Sequence, residues 1–281
     1  MRAGTSSIGA MAITVRPIAF DAALLDEVER RIGPAPEELS EFVNTAVARE
    51  LHGSRTFLRV VRELDFPALA EGYREALLAR DGRRAQAIVA DAVAVGADVI
   101  DIYGEVLRPA LEAIGHAWAR DEINVADEHY ASEVTARLLA GLAPEHRLPP
   151  SEGRLAIVTG SPDEQHVLGA RMVADVLERA GWEVVALGAA TPPDDLTELV
   201  DAERPDLVAI STSTAGRLPG VEDVLTRLSG LAAPPVVAVG GPLYTREVSE
   251  AARAWGAEIV TSDLRELLAA VRRRFSPAEP G

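Results

Sequence analysis

The chain has 281 residues, 48% of them hydrophobic, enough for two domains with cores of their own. It contains neither Cys nor Lys, which excludes disulfides, thiolate metal sites, Cys nucleophiles, lysine Schiff bases and a P-loop. A net charge of −16 argues against a chain-wide grip on nucleic acid; residues 1–65 hold 8 Arg against 10 acidic residues, so −14 falls on the remainder.

In chain order, Ile13-Thr14-Val15-Arg16 alternates like a short strand. Asp21 is placed to cap a helix through Arg31, which Gly33-Pro34 closes. A second helix starts near Pro36-Glu37-Glu38 and puts Leu39, Phe42, Val43, Ala46, Val47 and Leu51 on one face. Strand, helix, helix resembles a ribbon-helix-helix module, which would turn Thr14 and Arg16 toward a DNA groove. The acidic start of the second helix departs from such modules, and a helical extension packed on the next domain fits as well. Residues 1–65 therefore leave DNA binding open. The lone strand needs a partner strand, so a homo-oligomer, a dimer or larger, is expected. No run of eighteen apolar residues occurs, and Met1–Ser7 shows no charged stretch leading into an apolar one. A cytoplasmic protein without a membrane role is expected.

Residues 66–143 are helical in period throughout. Helices are expected over 67–80, 82–95, 97–119 and 125–142, with breaks at Asp81-Gly82, Gly96 and Asp121-Glu122, and short connections make them a four-helix bundle. Residues 143–153 read as a linker rich in Pro. Over 150–281 strand and helix alternate. Strands are expected at 155–159, 183–187, 207–211, 236–239 and 258–260, with helices near 167–180, 193–202, 219–230, 246–255 and 263–274. Near-continuous apolar strands separated by helices indicate a parallel sheet covered on both faces, in the flavodoxin-like α/β class. Ligands of such sheets sit at the C-terminal strand ends. No Gly-x-Gly-x-x-Gly follows the first strand and no nucleophile elbow is present, so a dinucleotide site and a serine hydrolase are not supported.

Three loops at those strand ends carry chemistry: Glu164-Gln165-His166-Val167-Leu168-Gly169, then Ser211-Thr212-Ser213, then Gly240-Gly241. An imidazole is a good metal ligand when its second nitrogen is held by a carboxylate, and Glu164 sits two residues before His166. The set resembles the cobalamin-binding signature of the base-off/His-on corrinoid proteins, Asp/Glu-x-His-x-x-Gly, then Ser-x-Leu, then Gly-Gly. Ser213 stands where that family has Leu. The resemblance implies that His166 is the lower axial cobalt ligand, that Gly169 gives passage to the displaced nucleotide tail, and that Ser211, Ser213, Gly240 and Gly241 border the tail's pocket.

In the bundle, nine residues separate Trp118 from Glu128-His129 across the turn between the third and fourth helices. This is similar to the Trp-x9-Glu-His pattern of the CarH-type cobalamin photoreceptors. There a bundle covers the cofactor's upper face, which implies that Trp118 and Val125 pack on an adenosyl group, that Glu128 hydrogen-bonds it, and that His129 can reach cobalt once it leaves. 5′-Deoxyadenosylcobalamin is the cofactor so implied. The related photocobilins also bind a bilin, so a second tetrapyrrole enters the expectations. The function implied is a light sensor, a binding protein rather than an enzyme, signalling through its own assembly or a protein partner. The competing reading is the corrinoid carrier of a methyltransferase system, whose cobalt must stay open to a partner. His52, His116 and His146 receive no role here; Tyr103 and Tyr130 could line the bundle's cavity or fill its core.

Overall fold

The computed structural model describes residues 64–142, 151, 153–189 and 191–276. The strand and helices expected within residues 1–65, and most of the linker, lie outside the described residues.

Helix α1 (Phe66–Leu78) begins at Asp65, whose carboxylate accepts from the Ala68 amide at 3.0 Å, and α2 (Gly82–Ala94) begins at Asp81, which accepts from Arg84 at 2.9 Å. Arg80 takes a left-handed conformation between them, giving the break expected at Asp81-Gly82. Gly96 ends α2 with φ +94, a conformation that glycine adopts without a Cβ penalty.

The third bundle element differs from the uniform helix expected over 97–119. A short α3 (Val99–Asp101) runs into a π-helical segment, Ile102–Leu107, and then into α4 (Arg108–Ala119). Pro109 follows the π-helical segment. The Gly104 carbonyl would take the amide of residue 109 in a π turn, but proline has no N–H. The Arg108 side chain supplies Nε instead, at 3.3 Å. Helix α5 (Val125–Leu142) opens with a reciprocal cap: Asp127 N donates to Asn124 Oδ1 at 3.1 Å and Asn124 N to Asp127 Oδ2 at 3.3 Å. That cap fixes where Glu128 and His129, in the first turn, point from.

The sheet has strands β1 (Leu155–Gly160), β2 (Glu183–Gly188), β3 (Leu207–Ser211), β4 (Val236–Gly240) and β5 (Ile259–Val260), all parallel, in the order β2-β1-β3-β4-β5. Helices α6 (Leu168–Arg179) and α10 (Leu264–Phe275) cover one face. The other face is covered by α7 (Pro193–Glu203), α8 (Leu218–Ser229) and α9 (Arg246–Ala254). The period of two in each strand divides the residues cleanly: Ala156, Val158, Leu207, Ala209, Val236 and Ala238 join the first core, and Ile157, Val208, Ile210, Val237 and Val239 the second. This is the flavodoxin-like doubly wound α/β order.

The bundle does not have a core to itself. Tyr73, Leu77, Ile102, Tyr103, Leu107, Ile114 and Val134 pack in one cluster with Met172 and Val176 of α6 and Leu268 of α10. The face of the sheet that α6 and α10 cover is therefore also the face on which the bundle sits.

Candidate functional site

The order of the strands reverses between β1 and β3, and the loops leaving β1, β3 and β4 open into a common crevice there. The bundle closes it from above. The cavity measures about 890 Å³ and is walled below by the three loops and above by α4 and α5. That is the upper end of the size range for small-molecule sites.

Behind its floor, Glu164 is 1% exposed and serves three donors. Its Oε1 accepts from the His166 backbone amide at 3.0 Å and from His166 Nδ1 at 2.5 Å, and its Oε2 accepts from the Ser213 amide at 2.8 Å. The last bond ties the β1 loop to the β3 loop. Burial alone would raise the Glu164 carboxyl, but the hydrogen bonds from His166 and Ser213 outweigh it and hold it at about 2. His166 is raised, chiefly by its bond to Glu164 and against burial, with a further contribution from Glu128 across the cavity. With Nδ1–H committed to the carboxylate, Nε2 is the nitrogen left to act, and the His166 side chain, half exposed, belongs to the cavity wall.

The glycines prove to be sites of close approach between protein segments. A Cβ on Gly169 would stand 2.6 Å from Ser211 Oγ, so a side chain at 169 would force the serine hydroxyl at the end of β3 to shift. On Gly240 it would meet the Thr261 carbonyl, and on Gly241, at φ +136, the Thr212 carbonyl. Gly169, Ser211, Ser213, Gly240 and Gly241 all border the cavity. Ser213 contributes its amide to Glu164, a role that does not depend on the side chain and so survives the replacement of Leu.

On the roof, Trp118, Glu128 and His129 also border the cavity. Glu128 accepts from Ser132 Oγ at 2.7 Å and from His129 Nδ1 at 2.6 Å. Trp118 is 44% exposed, at the cavity's mouth. Val125, expected beside it, is not part of the wall: as the first residue of α5 it lies outside, 46% exposed. Tyr130 is likewise absent, its hydroxyl donating to the Arg80 carbonyl at 2.9 Å and accepting from the Gly82 amide at 3.1 Å. Tyr103 does line the cavity.

Three further wall residues, Arg108, Glu112 and His116, were not singled out by sequence. They follow one another at i, i+4 and i+8 on α4, so helical periodicity projected from Trp118's helix held that signal. Glu112 Oε1 is buried without a hydrogen bond, 3.7 Å from Arg108.

Two family models, each described as a B12 binding domain, match the chain, one over residues 154–271 and the other over 69–142. The HTH-type transcriptional repressor CarH of Myxococcus xanthus is 35% identical over 163 residues, 57% of this chain and 54% of that protein. An uncharacterized 20.5 kDa protein from the bchF-crtJ intergenic region of Rhodobacter capsulatus is 31% identical over 159 residues, covering 55% of this chain and 82% of that one. The chain belongs to the CarH-type cobalamin-binding proteins. It spans about half the length of CarH itself. Among solved structures, the monomethylamine corrinoid protein of Methanosarcina barkeri superposes with a TM-score of 0.63 at 20% identity, over 74% of this chain and 99% of that one, which shows a common fold.

The residues present suit a corrinoid. One imidazole with a buried carboxylate behind it would offer a single nitrogen to a metal. Among the described residues no helix is long and apolar enough to cross a membrane.

Proposed function

We propose that the chain is a light-responsive regulator that holds 5′-deoxyadenosylcobalamin between bundle and sheet. The observation that carries this reading is the Glu164–His166 pair at the floor of a cavity whose roof presents Trp118 and Glu128-His129. In this reading His166 offers Nε2 to cobalt and Glu164 fixes its tautomer, while the loops after β3 and β4 border the nucleotide tail. Trp118 covers the upper ligand, Glu128 accepts a hydrogen bond from it, and His129 is the roof imidazole available to the upper face. When bound, the cofactor supplies a cobalt–carbon bond that light can break.

What the chain's own residues add is differential contact. Trp118 and Glu128 would touch a ligand carried by the cofactor only while it is present, so its removal would change what holds the roof in place. Output would pass through a change of assembly, through residues 1–65 acting on DNA, or through a protein partner. Transcriptional regulation is the role consistent with the repressor relatives. Protein loaded with adenosylcobalamin should change its absorption spectrum after green light. A further change on red light would add a bilin; no change at either wavelength refutes light sensing.

A further inference from the structure

The bundle is attached to the sheet half at one end by a buried polar cluster that the corrinoid reading leaves unused. Tyr103, fully buried in the π-helical segment, donates its hydroxyl to Asp175 Oδ2 of α6 at 2.8 Å. Arg179 Nε donates to the same oxygen at 2.7 Å, and Arg179 Nη2 reaches the carbonyl of Leu142, the last residue of α5, at 2.5 Å. Asp175 is 8% exposed and its Oδ1 has no hydrogen-bond partner. A carboxylate is costly to bury, and here a tyrosine and an arginine from two helices compensate it. Next to it, Arg265 of α10 lies 2.5 Å from Asp101 and 3.2 Å from Asp98, at the start of α3. Residues 98–103 are thus held by both helices that cover this sheet face.

The opposite end of the bundle carries the roof residues and is more open. There Trp118 and Val125 are 44% and 46% exposed, and the His129 side chain 73%. The π-helical segment runs from the polar cluster toward that end, and in it the Arg108 side chain donates to the Gly104 carbonyl. An interrupted backbone ladder is where a helix bends at least cost.

We propose that Tyr103 and Asp175 are positioning residues, a latch that sets the height and tilt of the bundle's roof above the cavity, with Ile102–Leu107 as its pivot. Helix α6 connects the two functions. Its first turn follows His166 and carries Gly169, and its last turn carries Asp175 and Arg179, so a ligand held at His166 and the tilt of the roof bear on one rigid element. The effect on ligands rests on the cobalamin reading; the latch itself does not.

The test uses full-length protein and two variants, Tyr103→Phe and the milder Asp175→Asn, which keeps an acceptor for the tyrosine. Without cofactor, hydrogen exchange followed by mass spectrometry should show amides of α4 and the first half of α5 exchanging about tenfold faster in Tyr103→Phe, with β1, β3 and β4 unchanged. Asp175→Asn should give a smaller change in the same segments. Unaltered bundle exchange in both variants, or equal acceleration in the sheet, overturns the latch. With cofactor, Asp175→Asn, whose side chain does not border the cavity, should bind hydroxocobalamin as the wild type does and lose about threefold of its preference for adenosylcobalamin. Equal losses for both cobalamins overturn the positioning role. If the wild-type chain binds neither cobalamin, the cofactor reading fails while the exchange result still decides the latch.

Discussion

Gly169, in the first turn of α6, and Ser211, the last residue of β3, meet so closely that a single added methyl group at 169 would stand 2.6 Å from the serine hydroxyl. Forty-one residues separate them in the chain. Gly169→Ala should cost about 1–3 kcal/mol, the usual penalty for overpacking a close contact. Ser211→Ala in the same chain should restore most of it, because the atom in the way is Oγ. Urea unfolding of the two single variants and the double variant measures this, and strictly additive effects would refute the contact.

His166→Ala should weaken cobalamin binding at least tenfold, about 1.4 kcal/mol, or leave the cofactor's own base on cobalt. Glu164→Gln should cost about 10–100-fold through loss of the oriented ring. Titration followed by the absorption spectrum checks both; unchanged affinity with an unchanged spectrum for His166→Ala would remove the ligand assignment.

Acid should destabilise the protein without cofactor in a defined window. Glu164 is held at about 2 in the folded chain against an ordinary 4.5, so its contribution is complete above 4.5 and is lost as pH falls from there toward about 2. His166 has the opposite sign: raised in the fold, it contributes fully below its ordinary 6.5 and less as pH rises through its folded value. Stability measured against pH should therefore fall on both sides of a maximum, and Glu164→Gln should flatten both limbs, since it removes the partner of His166 as well.

Trp118→Ala should lower the preference for adenosylcobalamin over methylcobalamin, because its indole borders the cavity where an upper ligand would lie. Competition binding in the dark gives the ratio. An identical ratio in variant and wild type favours the methyl-carrier alternative, in which the upper face serves a partner enzyme.

Light scattering after size-exclusion chromatography should show a dimer or larger species whose mass changes on illumination. Val125 and Trp118, both large, apolar and exposed beside the cavity mouth, are surface that such an assembly would cover. A monomer in both conditions refutes the assembly; a dimer indifferent to light places the signal elsewhere.

Local pattern was enough for the elements and for the floor of the site. The strands alternate between two cores because their apolar residues recur with period two, and Glu164 meets His166 because a loop bond between residues two apart needs no distant partner. The caps that Asp65, Asp81 and Asp98 give to three helix starts are equally local hydrogen bonds. What only the tertiary structure decided depends on approach between segments far apart in the chain. It set Gly169 against Ser211, gave Gly240 and Gly241 to protein carbonyls, and turned the Ser213 amide, 49 residues away, toward Glu164. It left Val125 outside the cavity wall and brought Tyr103 to Asp175 across 72 residues. Periodicity assigns a residue to a face; where that face comes to rest is settled by the packing of whole helices on the sheet, and that includes the π turn that precedes Pro109.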